Sequence, residues 1–292
     1  MTTTQLSTAE RLAGSFPPLL AAAERIANTV LPGGHGRRRV GQGDAFWQYR
    51  GYQGGDPIRR IDWRRSARGS QVYVRETEWE AAQTVWFWAD QSPSMDYASD
   101  RDLTTKAERG AVLMLAMASL LGRGGERIAL MADTDAPDLR PGMGRMALLR
   151  LADEVQRRRA DAKAGLPIPD CVGAHSHALI VGDLLSPLDE IERLARALTD
   201  RRARGHFIQV LDPAELDLPF RGRTRFEGLE DEGSLLVRRA ESLRTDYVDR
   251  IEAHVEGVRT LARNAGWTYA LHVTGQSAQS AVLAAYTAIA GG

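Results

Sequence analysis

One cysteine, Cys171, stands among 292 residues. An internal disulfide and a cysteine-cluster metal site are therefore both excluded. Lysine is nearly as scarce: Lys106 and Lys163 are the only two, so 36 of the 38 basic residues are arginine. Net charge is absent as well, with 38 acidic side chains against 38 basic. That balance argues against a general nucleic-acid sponge but says nothing about local fields. No apolar run approaches the ~20 residues that span a bilayer. The longest, Ala111 to Leu121, lies between Arg109 and Arg123 and suits a buried helix. The first ten residues lack the basic-then-apolar order of a secretory signal, which sets the expectation of a cytoplasmic protein. A Gly-x-Ser-x-Gly elbow, a phosphate loop and a Cys–His pairing are missing too. No nucleophile with its base is legible, and a non-enzymatic role is expected.

What is present reads as an ordinary globular chain, with 43% apolar residues and 28 glycines. Leu19 to Val30 has a helical pattern after the interruption of Pro17-Pro18, and Ser7 with Glu10 fits a capping box upstream of it. Residues 33 to 75 are rich in glycine, aromatics and arginine, and read as an ordered but irregular segment ending in a strand around 71–79. From Thr84 onward, apolar β-branched runs alternate with helical patterns: strands at 84–89, 127–131, 178–181, 206–211 and 268–273, helices between them, and a β-hairpin inserted near 217–239. Alternation of this kind implies βαβ units and a mostly parallel, doubly wound α/β sheet of Rossmann type. The chain divides on this reading into an N-terminal helical and arginine-rich part, 1–80, and an α/β domain, 81–292.

Ligands of doubly wound sheets sit beyond the carboxyl ends of the strands. Asp90 follows the first strand in Asp90-Gln-Ser92-Pro-Ser94-Met, and Asp183 follows the third. One carboxylate and two hydroxyls from such a loop, with a second carboxylate, form an oxygen set suited to Mg²⁺. The same residue types also cap helices and bond loop amides. A second candidate is the arginine-rich segment, where ten arginines from Arg37 to Arg75 outnumber three aspartates, Asp44, Asp56 and Asp62. Arginines interleaved with aromatics suit single-stranded nucleic acid or a bidentate network with the aspartates. With lysine absent from the stretch, structural use or protein docking is favoured over nucleic acid. His175 and His177 read as surface residues, and Glu24-Arg25 as a solvated helix face.

Gly54-Gly-Asp56-Pro-Ile-Arg59-Arg-Ile61-Asp62-Trp63-Arg-Arg-Ser66-Ala67-Arg68, then Val74-Arg75 and Glu80, then Asp90-x-Ser92-x-Ser94-Met95, resembles the bacterial family called domain of unknown function fifty-eight. The resemblance covers roughly residues 35 to 211, and Leu211-Asp-Pro-Ala-Glu-Leu-Asp-Leu-Pro-Phe-Arg-Gly222 resembles a further stretch of many members. It implies a von Willebrand factor A-like fold with a metal-ion-dependent adhesion site, and partnership with a MoxR-type AAA+ ATPase in chaperone-like remodelling or activation of a client complex. Asp90, Ser92 and Ser94 match the first metal loop and Asp183 the acidic residue of the third. Such a site also takes a threonine from an intervening loop, yet no threonine occurs between Asp135 and Leu198. Asp133, Asp135 and Ser176 are the residues that could stand in for it. Two rival functions follow from the residues: nucleic-acid binding through the arginine segment, and a metal-dependent hydrolase built on Asp90 and Asp183.

Overall fold

The structure, a computed structural model, describes residues 17–30, 40–41, 45–69, 71–78, 82–131, 140–158, 165–229 and 233–291. The chain forms two compact units, residues 35–82 and the remainder. The expected capping box at Ser7 and Glu10 lies outside the described residues.

The larger unit is built on five parallel strands: β4 (Thr84–Ala89), β5 (Arg127–Leu130), β6 (His177–Gly182), β7 (Arg204–Leu211) and β10 (Thr268–Val273), in the spatial order β10-β7-β6-β4-β5. The central strands β4 and β6 are short and apolar because both of their faces are covered, while the edge strand β10 is only half-buried. Along β4 the side chains alternate between two cores. Val85 and Phe87 join Leu179, Val181, Ile208 and Val210 beneath helices α1 (Pro17–Val30), α3 (Lys106–Arg123), α4 (Gly144–Arg158) and α8 (Ala278–Gly291). Trp86 and Trp88 face the other way, onto α5 (Leu188–Asp200) and α7 (Arg244–Asn264). Removing one such large side chain from water contributes roughly 1.5–3 kcal/mol, so the alternation strongly fixes strand register.

Helix α3 is buried almost all round, as its composition predicts. Thr105 caps it by accepting from the Glu108 amide at 3.2 Å. The sheet covers one side and α1 the other, with Ala23 and Ala27 fully buried. Pro17 begins α1 instead of interrupting it, since a first-turn proline sacrifices no intrahelical bond. Arg25 is exposed as expected, whereas the half-buried Glu24 accepts from Ser119 Oγ at 3.0 Å and pairs with Arg123, tying α1 to α3.

His177 departs from its expected surface position. It is buried at the amino end of β6, its Nδ1 2.9 Å from His206 Nε2 and its Nε2 2.8 Å from Gln83 Oε1. His206 Nδ1 continues the chain to Thr268 Oγ1 at 2.8 Å. Register explains this: residues at the starts of four neighbouring strands come side by side, and each ring satisfies the next. Burial, then His177, then Arg204, push the His206 pKa down to about 3. His175 remains exposed.

Residues 35–82 are less irregular than expected. Strands β1 (Val40–Gly41), β2 (Ala45–Gly51) and β3 (Tyr73–Glu78) make an antiparallel sheet in the order β1-β3-β2. Aromatics in β2 favour the pleat, while the flanking glycines obscure it in the sequence. Asp62 caps the one-turn helix α2 (Trp63–Ser66), accepting from the Arg65 amide at 2.8 Å. Ser66 Oγ bridges the Asp62 carbonyl and the Tyr73 amide. Arg50 forks onto Asp56 at 2.9 and 3.0 Å, and Arg65 lies over the rings of Tyr49 and Tyr73. The Gly-Asp…Ile-Asp-Trp…Ser-Ala-Arg block thus builds its own local scaffold.

Candidate docking site at the carboxyl ends of the strands

Strand β4 has β5 on one side and β6 on the other, so the winding direction reverses between β4 and β6. A crevice opens beyond the strand ends at such a point. The residues that follow these two strands are Asp90 and Asp183. Gly182 makes their close approach possible, because a Cβ there would lie 2.8 Å from the Asp90 Cβ.

The four residues expected to share a site are brought together. Asp90 Oδ1 accepts from the Ser92 amide at 2.8 Å, and the Ser92 and Ser94 hydroxyls lie 3.1 Å apart. Ser94 Oγ donates to Asp183 Oδ2 at 3.0 Å. The loop bearing Asp183 is held from below: Gln209 Nε2 donates to the Asp183 carbonyl at 2.7 Å, and His254 Nε2 to that of Leu184. Leu184 adopts φ 50°, a strained left-handed conformation for a branched residue.

Two further residues occupy the same place. Lys106, at the first turn of α3, is 0% exposed, its Nζ 2.9 Å from Asp183 Oδ2 and 2.6 Å from Glu215 Oε1. Burial disfavours the ammonium, but Asp183 and Glu215 more than offset this and raise its pKa. Burial raises the Glu215 pKa against the pull of Lys106. Glu215 belongs to α6 (Pro213–Asp217), whose capping box supplies the rest of the network. Its Oε2 accepts from the Asp212 amide, while Asp212 accepts from Ala214 and Ser99 amides at 2.8 and 3.0 Å. The loops after β4, β6 and β7 are therefore tied through one ammonium.

Sequence reasoning missed both Lys106 and Glu215. The available signals were the rarity of lysine, its place at the start of an otherwise apolar helix, and the Asp212-Pro-Ala-Glu215 capping pattern.

The expected divalent ion can be tested against this geometry. Asp183, the carboxylate it would share with Asp90, already faces an ammonium at 2.9 Å. That charge repels a dication and neutralises one of the two carboxylates it would draw on. Among the stand-ins for the missing threonine, Ser176 precedes β6 and donates to the Gly173 carbonyl, at the opposite edge from Asp183. Asp133 and Asp135 lie outside the described residues. Among the described donors, Mg²⁺ could be held in the manner of an adhesion site only by displacing the Lys106 ammonium from Asp183.

Beside this network lies a cavity of about 600 Å³, lined by Asp90, Ser94, Lys106, Asp183 and Glu215, and also by Tyr97, Phe226, Tyr247, Leu185 and Leu229. Among the described residues, no helix is long and apolar enough to cross a membrane.

Comparison with known proteins places the chain. A family model described as "Protein of unknown function DUF58" matches residues 48–257, more than two thirds of its length. The chain belongs to the DUF58 family. The matched region runs from β2 into α7, so it includes the Asp90 loop, Asp183 and Glu215. The uncharacterized proteins Rv1480 of Mycobacterium tuberculosis and Mb1516 of Mycobacterium bovis are each 29% identical over 273 residues, covering 88% of this chain and 83% of theirs. Solved structures with partial likeness include an aerotolerance-related membrane protein from Bacteroides fragilis, at TM-score 0.46 and 14% identity over 71% of this chain and 98% of that one. BatB from Bacteroides thetaiotaomicron gives TM-score 0.41 and 13% identity over 72% and 100%. The VWA domain of SpRpn10 gives 0.29 and 10% over 70% and 94%. The fold assignment of this DUF58 chain rests on its own strand order, a doubly wound parallel sheet of the Rossmann type expected of a von Willebrand factor A-like domain.

Proposed function

We propose that this DUF58 chain is a non-enzymatic protein-interaction adaptor that docks a partner at the cavity beyond β4, β6 and β7. It works beside a MoxR-type AAA+ ATPase, in chaperone-like remodelling or activation of a client complex. One observation carries the docking part. Asp183, Glu215 and Asp212 are each bonded by a residue of the segment after β4, and Leu185 and Leu229 line the adjoining cavity at 39% and 47% exposure. Exposed apolar positions beside satisfied polar groups suit a docking surface. The MoxR-type partner is carried over from the family resemblance alone.

The arginine-rich unit offers a second docking face. Trp63 and Ile58 are 62% and 68% exposed, and exposed Arg59, Arg64 and Arg68 have no ion-pair partner among the described residues. An acidic, partly apolar protein surface suits this combination.

The double substitution Leu185→Asp and Leu229→Asp should abolish capture of a purified MoxR-type ATPase or client by the tagged chain while leaving its melting temperature unchanged. Undiminished capture by the variant would refute docking at the cavity. Binding of a single-stranded oligonucleotide at low salt, weakening steeply as salt rises, would move the function to nucleic acid. Phosphatase activity lost in Asp90→Ala would move it to hydrolysis.

A further inference from the structure

Lys106 is one of two lysines in the chain and is fully buried, at the meeting point of loops from three strands. Its Nζ bonds one carboxylate on the loop after β6 and another on the short helix after β7. The loop after β4 joins through Ser94, which donates to the same Asp183 oxygen. A cation is needed here: without one, Asp183 and Glu215 would be buried with no compensating charge beside Asp90. A divalent ion could meet that need only by displacing the ammonium from Asp183.

We infer that the Lys106 ammonium is a built-in counter-ion that joins these three loops, so that the site keeps its shape without a divalent metal. The inference deepens the docking reading, because a site held by its own side chain is ready for a partner whatever the free Mg²⁺ concentration. The positive charge is internal and already shared between Asp183 and Glu215. It is therefore not offered to a carboxylate of the partner, as an adhesion-site metal would be.

Two partner-free measurements test this. Wild-type chain titrated with Mn²⁺ and followed by electron paramagnetic resonance should leave the ion free up to millimolar concentrations, with one Tm in Mg²⁺ and in EDTA. Lys106→Met keeps most of the side-chain volume and removes the charge; its Tm should fall by several degrees and rise again on adding Mn²⁺. A wild type that binds one Mn²⁺ tightly, or melts earlier in EDTA, overturns the inference. So does a Lys106→Met protein with the wild-type Tm. If that variant does not fold, the wild-type titration still decides. A metal-binding wild type that captures its partner refutes only the counter-ion, and a metal-independent chain that captures nothing refutes only the docking reading.

Discussion

A lysine with no exposure to water sheds its proton unless anions hold it, and Lys106 keeps its proton because Asp183 and Glu215 lie 2.9 and 2.6 Å from Nζ. Glu215 has two functions that substitutions can separate. One oxygen accepts from Lys106 and the other from the Asp212 amide that starts α6. Glu215→Ala removes both and leaves a buried ammonium with one partner, at a cost of about 3 kcal/mol. Glu215→Gln loses the charge and keeps a single acceptor oxygen, which can serve Lys106 or the Asp212 amide but not both, so it should cost less than Glu215→Ala. Urea unfolding of the two variants checks this, and equal losses would contradict the dual function. None of this pairing was legible in the sequence. Lys106 and Glu215 are 109 residues apart, and only the sheet order brings the starts of α3 and α6 together. Asp90, Ser92, Ser94 and Asp183 were legible because each follows a buried strand, a position set by local pattern.

Among the elements, the five parallel strands were readable for a physical reason. Strands covered on both faces are continuous apolar runs, and those runs contrast sharply with the helices between them. Of the small antiparallel sheet of residues 40–78, the strand expected around 71–79 was readable and forms as β3, but β1 and β2 were not, since they lie among glycines and only their pairing with β3 defines them. The inserted hairpin was anticipated, and forms as β8 (Thr224–Glu227) paired with β9 (Ser234–Val237). At the opposite end of the sheet, the Gln83–His177–His206–Thr268 chain links four strands and makes stability depend on pH. Folded His206 takes a proton only near 3, whereas an unfolded histidine does so near 6.5. As the pH falls below about 6.5 the unfolded state binds the proton first, so stability is lost by up to about 1.4 kcal/mol per pH unit. His272, lowered to about 4 by burial and then Arg109, adds in the same direction. Urea midpoints between pH 7.5 and pH 5 should decline, and less so in His206→Gln. A slope unchanged by that substitution would contradict a contribution from His206.

For the molecule as a whole, zero net charge is the sum of unlike parts. Exposed arginines and an exposed tryptophan mark residues 35–82, while the α/β unit holds Asp183 and Glu215 on one buried lysine at the strand ends. Both features suit contact with other proteins. The claim that joins them is docking to an AAA+ partner. Sedimentation of the purified full chain with a purified MoxR-type ATPase from the same organism, with ATP present, tests it most directly. The account predicts a co-sedimenting complex that is lost in the Leu185→Asp, Leu229→Asp variant. Independent sedimentation of chain and ATPase, with and without ATP, would contradict it.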